Sequence, residues 1–243
     1  MSKLLILVLF LTAYTTGTPH AGSFRIFGGK VARVGAYPFM VSLRWYPDEH
    51  FCGGTIVSNL WVLTAAHCVD GESIATVFAV VGTNSLNFGG VAVKIRKIVM
   101  HPNFKDTEHR SNDIAMIQLH SALSFSANIA PVILDTVVFQ STIDVTLIGW
   151  GETRNKGPSS NYLREVSTQT LSQAACSLYW PEAVNANHIC TKFQNETGFF
   201  STDSGGPLIR TNTKTQVGVI SFHFYGRVSS YVSWIRSTAN LQG

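Results

Sequence analysis

The chain has 243 residues, 45% of them hydrophobic and 13% charged. That is enough apolar material for a substantial core, and it excludes a disordered or polyelectrolyte protein. The formal charge of +4 falls to +2, with 16 basic and 14 acidic side chains, if residues 1–25 are removed. Such a mild excess gives no case for nucleic-acid or membrane binding.

In chain order, Met1-Ser2-Lys3 precedes an apolar run over 4–11 and the small residues Thr15-Thr16-Gly17. A basic start, a short apolar stretch and small residues read as a secretory signal peptide over 1–17, too short for a membrane span. The mature protein is therefore expected to be secreted, extracellular and soluble. Residues 18–25 read as a short pro-segment. Arg25 is a single base before Ile26-Phe27-Gly28-Gly29, which is either an ordinary loop or a processing site, and residues 26–243 form the remaining domain. Four cysteines in a secreted chain point to two disulfides, and proximity favours Cys52–Cys68 and Cys176–Cys190. No Cys-x-x-Cys pair occurs, so no metal is expected, and nothing in the sequence requires a cofactor.

From residue 39 onward, β-branched and alternating apolar runs are separated by Gly, Pro, Asn and Asp. They predict strands over 39–44, 54–58, 61–64, 77–82, 91–99, 113–119, 145–149, 162–170, 205–210 and 216–222. Helical periodicity is confined to 172–180 and 230–240, the second with Val232, Trp234 and Ile235 on one side. Residues 119–136 look like a crossover between two halves. Many short strands with turn signals predict an all-β protein, either a sandwich or paired barrels.

Three positions carry the chemistry. Ser204 lies in Thr202-Asp203-Ser204-Gly205-Gly206-Pro207, a tight turn that can present a hydroxyl. A serine hydroxyl becomes a useful nucleophile only with a base to take its proton and a third group to orient that base. His67, in Thr64-Ala65-Ala66-His67-Cys68, ends an apolar strand between small residues. Asp113 enters an apolar strand, where a carboxylate is costly without partners and an imidazole N–H would serve. The plainer alternatives are a polar turn, a structural histidine and a solvated strand cap.

Ile26-Phe27-Gly28-Gly29, Leu63-Thr64-Ala65-Ala66-His67-Cys68, Asn112-Asp113-Ile114-Ala115, Gly149-Trp150-Gly151 and Asp203-Ser204-Gly205-Gly206-Pro207 occur in that order. Together they resemble the chymotrypsin-like (trypsin-family) serine endopeptidases, closest in character to the insect chymotrypsin-like enzymes, over nearly all of residues 26–243. The resemblance implies two six-stranded antiparallel β barrels packed face to face, with a C-terminal helix and the site in the cleft between them. It implies Ser204 as nucleophile, His67 as the base that later protonates the leaving amine, and Asp113 as the group that orients His67. The backbone N–H groups of Thr202 and Ser204 would form the oxyanion hole. Cleavage after Arg25 would free the Ile26 amine to pair with Asp203. The implied partners are protein or peptide substrates, an activating trypsin-like protease and protein protease inhibitors, with the chain acting as a monomer.

Departures from the family cluster around the serine. Thr202 stands where Gly is usual, and a β-branched residue resists unusual backbone angles. Phe200 replaces a Cys, and the loop that would hold that cysteine's partner is shortened. The substrate pocket would comprise Gly198, Phe199, Ser221, Phe222 and His223. Gly198 stands where trypsin-like members carry Asp, and with Phe199 and Phe200 it suggests apolar residues before the cut; the plainer alternative is that the two phenylalanines fill the gap left by the lost wall. His223 replaces a usual Gly on the strand that would pair with substrate. Asn195-Glu196-Thr197 is a glycosylation sequon at Asn195. Two readings follow: a secreted serine endopeptidase made as a zymogen, or a protease-like binding protein with little or no turnover because of Thr202 and the truncated pocket wall.

Overall fold

The computed structural model describes residues 29–106, 111–151, 159–181, 183–192, 203–221 and 224–241. The expectations at Arg25, Ile26, Asn195, Gly198, Phe199, Phe200, Thr202, Phe222 and His223, and for the signal peptide and pro-segment, fall outside these residues.

The first half contains β1 (Lys30–Val31), β2 (Met40–Trp45), β3 (Glu49–Ile56), β4 (Trp61–Thr64), β5 (Val77–Val81), β6 (Val91–Met100) and β7 (Ala115–Leu119). Six of these, in the order β2-β3-β4-β7-β6-β5, close into an antiparallel barrel. The period-2 rule is visible in β6, where Val93 and Ile95 are buried while Lys94 and Arg96 face solvent. Val41, Leu43, Ile56, Val62, Leu63 and Ile117 are wholly buried in the core.

The second half contains β8 (Asp144–Gly149), β9 (Arg164–Gln169), α1 (Gln173–Tyr179), β10 (His188–Ile189), β11 (Pro207–Arg210), β12 (Gln216–Ile220), β13 (Tyr225–Arg227) and α2 (Val228–Ala239). Its sheet runs β1-β9-β8-β11-β12-β13-β10. A bridge between Thr170 and Thr191 joins the far ends of β9 and β10, with Leu171 N–H donating to Cys190 O at 2.8 Å and Lys192 N–H to Gln169 O at 2.7 Å. The sheet therefore curls back on itself. The ten expected strands are all present, mostly within two residues of their expected ends. β3 starts earlier than expected. The short strands β1, β10 and β13 were not anticipated, because two or three residues carry no readable period.

α2 buries Val228, Tyr231, Val232, Ile235 and Ala239, a stripe at helical spacing. Val228 and Ile235, both wholly buried, each contribute roughly 1.5–3 kcal/mol. Trp234 is only partly buried against the same core. The helix ends at Asn240, which takes the left-handed conformation usual after a last turn.

One hydrophobic cluster spans the two halves, the second half has two further clusters of its own, and polar bonds cross between the halves. Thr55 Oγ1 donates to Gln216 Oε1 at 2.8 Å, with both residues fully buried, and Trp150 Nε1 donates to Asn84 O at 3.0 Å. Gly53 explains the closeness of the approach. A Cβ there would lie 3.0 Å from both Gly206 Cα and Gly206 N, so the first barrel must present bare backbone at that point.

Candidate active site

His67 sits in a single 3-10 turn (Ala66–Cys68) after β4. Cys68 is disulfide-bonded to Cys52 of β3, which ties the turn to the barrel wall. The small neighbours Ala65 and Ala66 are fully buried. The sulfurs of Cys52 and Cys68 lie close to the His67 ring, but they are bonded to each other and offer no thiolate to a metal.

Asp113 precedes β7 and is 4% exposed. One carboxylate oxygen, Oδ1, accepts the His67 backbone N–H at 2.8 Å. The other, Oδ2, lies 2.6 Å from His67 Nδ1 and accepts the Ser221 hydroxyl at 2.5 Å. Burial alone would raise the Asp113 pKa. The His67 side-chain bond and charge, the Ser221 hydroxyl and the His67 amide outweigh it and hold the carboxyl below its ordinary range. An ionised carboxylate can only accept, so the proton between the pair belongs on His67 Nδ1. Nε2 is then left with the lone pair a base needs.

Ser204 is 6% exposed. Its loop is stitched to both barrels. Gly53 N–H donates to Ser204 O at 2.8 Å, Gly205 N–H to Ile220 O at 2.8 Å, and Ile220 N–H to Gly206 O at 2.8 Å. Gly205 has φ +79°, and a Cβ on it would stand 3.2 Å from Ala65 N. The serine turn therefore packs directly on the segment leading into His67. Among the described residues no hydrogen bond joins the Ser204 hydroxyl to His67. Such bonds are often long before substrate arrives.

Asp203 is 1% exposed and accepts the Gly151 N–H at 2.8 Å. A side chain at Gly149 or Gly151 would collide with its carboxylate. The spacing Gly149-Trp150-Gly151 thus clears a slot for this one acid.

Of the pocket residues, Ser221 is buried and directs its hydroxyl at Asp113, a partnership the sequence did not assign. β12 turns into β13 almost at once, with Ser221 N–H donating to Phe224 O at 3.1 Å. Phe224 is 2% exposed and packs with the Cys176–Cys190 disulfide. Its ring centroid lies 4.2 Å from that of His188. Among the described residues, no helix is long and apolar enough to cross a membrane.

The trypsin family profile matches residues 26–235. Trypsin 5G1 of Aedes aegypti is 34% identical over 237 residues, with 90% of this chain and 86% of that protein covered. Serine protease SP24D of Anopheles gambiae is 32% identical over 234 residues, covering 90% of this chain and 83% of its own length.

Proposed function

This chain belongs to the trypsin family of serine endopeptidases, and from that premise we propose that it hydrolyses peptide bonds with Ser204, His67 and Asp113. The observation that carries the reading is the buried Asp113 carboxylate, bonded to both the amide and the ring of His67. Ser204 attacks the peptide carbonyl as His67 Nε2 takes its proton. Asp113, still ionised, stabilises the imidazolium that results. The N–H groups of Ser204 and Thr202 hold the oxyanion. His67 then protonates the leaving amine, and water repeats the sequence on the acyl-enzyme.

The enzyme is made as a secreted precursor. A trypsin-like protease cuts after Arg25, and the new Ile26 amine pairs with Asp203. The burial of Asp203 in the slot between Gly149 and Gly151 supports this reading, because an opposite charge brought to a buried carboxylate is weakly screened and strongly attracted. Gly198 and Phe199 favour large apolar residues before the cut. The test is a fluorophosphonate probe on Arg25-cleaved, folded protein. Labelling of Ser204 is expected, and its absence sinks the reading.

A second reading rests on Thr202 and on the short connection between β12 and β13. In it the protein binds peptides but turns them over poorly, since losing one oxyanion donor costs about 10²- to 10³-fold. Thr202→Gly separates the two. A gain of orders of magnitude favours the crippled catalyst, whereas vigorous native turnover removes it.

A further inference from the structure

Beside Asp113, at the preceding residue of the chain, begins a set of contacts that the reaction above does not use. Asp113 is the middle residue of a three-residue turn, closed by Ile114 N–H donating to Asn112 O at 2.8 Å. Asn112 has φ +56°, in the left-handed region that non-glycine residues rarely occupy. The direction of the Asp113 carboxylate therefore depends on a backbone conformation with an intrinsic cost.

The Asn112 side chain is held at both ends. Its amide donates to Asn103 O at 2.9 Å, and its carbonyl accepts the Tyr231 hydroxyl at 3.3 Å. Tyr231 comes from α2, the last helix of the other half, and is 4% exposed. Its ring meets His101 edge-on, with centroids 5.4 Å apart, and His101 lies 5.1 Å from Trp234 on the same helix. His101 is locked to the Asp113 segment by its own N–H, which donates to Ile114 O at 3.0 Å. Asn103 N–H donates to His101 Nδ1 at 3.3 Å. The contacts thus form a closed ring from His101 through Asn103, Asn112 and Tyr231 back to His101. Burial, and then the nearby Asp113 charge, push the Tyr231 hydroxyl up to about 12, so at neutral pH it remains a donor.

We infer that Asn112 and Tyr231 are positioning residues: they brace the left-handed turn from α2 so that the Asp113 carboxylate stays aimed at His67 Nδ1. Both act through Asp113. The inference rests on the triad reading given above. It assigns the C-terminal helix a part in catalysis, and it explains why an Asn, with a donor and an acceptor on one short side chain, occupies the strained position.

The experiment uses Arg25-cleaved wild type, Tyr231→Phe and Asn112→Gly. The glycine keeps the backbone freedom and removes both bonds. Ser204 is titrated with the fluorophosphonate probe, and kcat, KM and the pH dependence of kcat/KM are then measured on a peptide amide. Tyr231→Phe is expected to lower kcat about 3- to 10-fold, the scale of one lost hydrogen bond. Asn112→Gly is expected to lower it up to about 100-fold, the scale of an ångström of misplacement. KM should hold, and the rising limb of the pH profile should move to lower pH as the carboxylate loosens from the imidazole.

The profile decides the matter. An unmoved profile overturns the brace, whether kcat is unchanged or falls with the thermal midpoint, because packing alone would then account for the result. If Asn112→Gly fails to fold, Tyr231→Phe, which keeps the ring against His101, carries the test alone. A wild type that does not label removes the triad reading and the brace with it. A wild type that labels beside variants with unmoved profiles removes the brace only.

Discussion

At the scale of single residues, Asp113 holds the most consequential charge. Its folded-state pKa lies below the ordinary carboxylate value of about 3.9. The ionised form therefore contributes stability that is fully present above that value and is lost as pH falls through the folded pKa. Urea midpoints measured from pH 7 downward should show the gap between wild type and Asp113→Asn shrinking below about pH 4; a gap constant with pH would contradict the assignment. The same substitution should lower kcat about 10²- to 10⁴-fold, the range attributed to general acid–base catalysis. Ser221→Ala removes a donor to a charged acceptor, and chemical denaturation should register a loss of about 1.5–3 kcal/mol near neutral pH.

At the scale of elements, the serine turn depends on glycines outside itself. Gly151→Ala would drive Asp203 out of its slot. We expect the Arg25-cleaved variant to fold yet to label poorly with the fluorophosphonate probe, as an unsettled serine turn would; full labelling would show that Asp203 can settle elsewhere. The elements themselves were legible in the sequence to different degrees. β5, β6 and β12 are runs of β-branched residues bounded by turn formers, and α2 has its stripe, so local pattern sufficed. β10 and β13 exist because neighbouring strands pair with His188–Ile189 and Tyr225–Arg227, which is a property of the sheet and not of their own residues. Phe224 reads as part of a short connection in sequence. Only the fold shows it buried on the Cys176–Cys190 disulfide.

At the scale of the whole molecule, the site exists only if the two halves stay in register. Gln216 and Thr55 satisfy each other across the junction in full burial. Gln216→Leu would strand the Thr55 hydroxyl, and thermal unfolding should report a loss of about 1–3 kcal/mol. Activity should fall along with it if the cleft geometry depends on that register.

What the sequence by itself determined is the family and the class of fold: ordered motifs around a serine in a glycine turn, a histidine beside a tethering cysteine and an aspartate entering an apolar strand, with strand-length runs between them. Those signals are short-range, so they survive without coordinates. Only the tertiary structure decided that Ser221 joins His67 on the Asp113 carboxylate, that Gly53 yields its side-chain space to the serine turn, and that Tyr231 reaches Asn112 across 119 residues of chain. Each is a contact between side chains or backbone far apart in sequence. Local pattern holds no record of such contacts, because they form only when the two halves pack together.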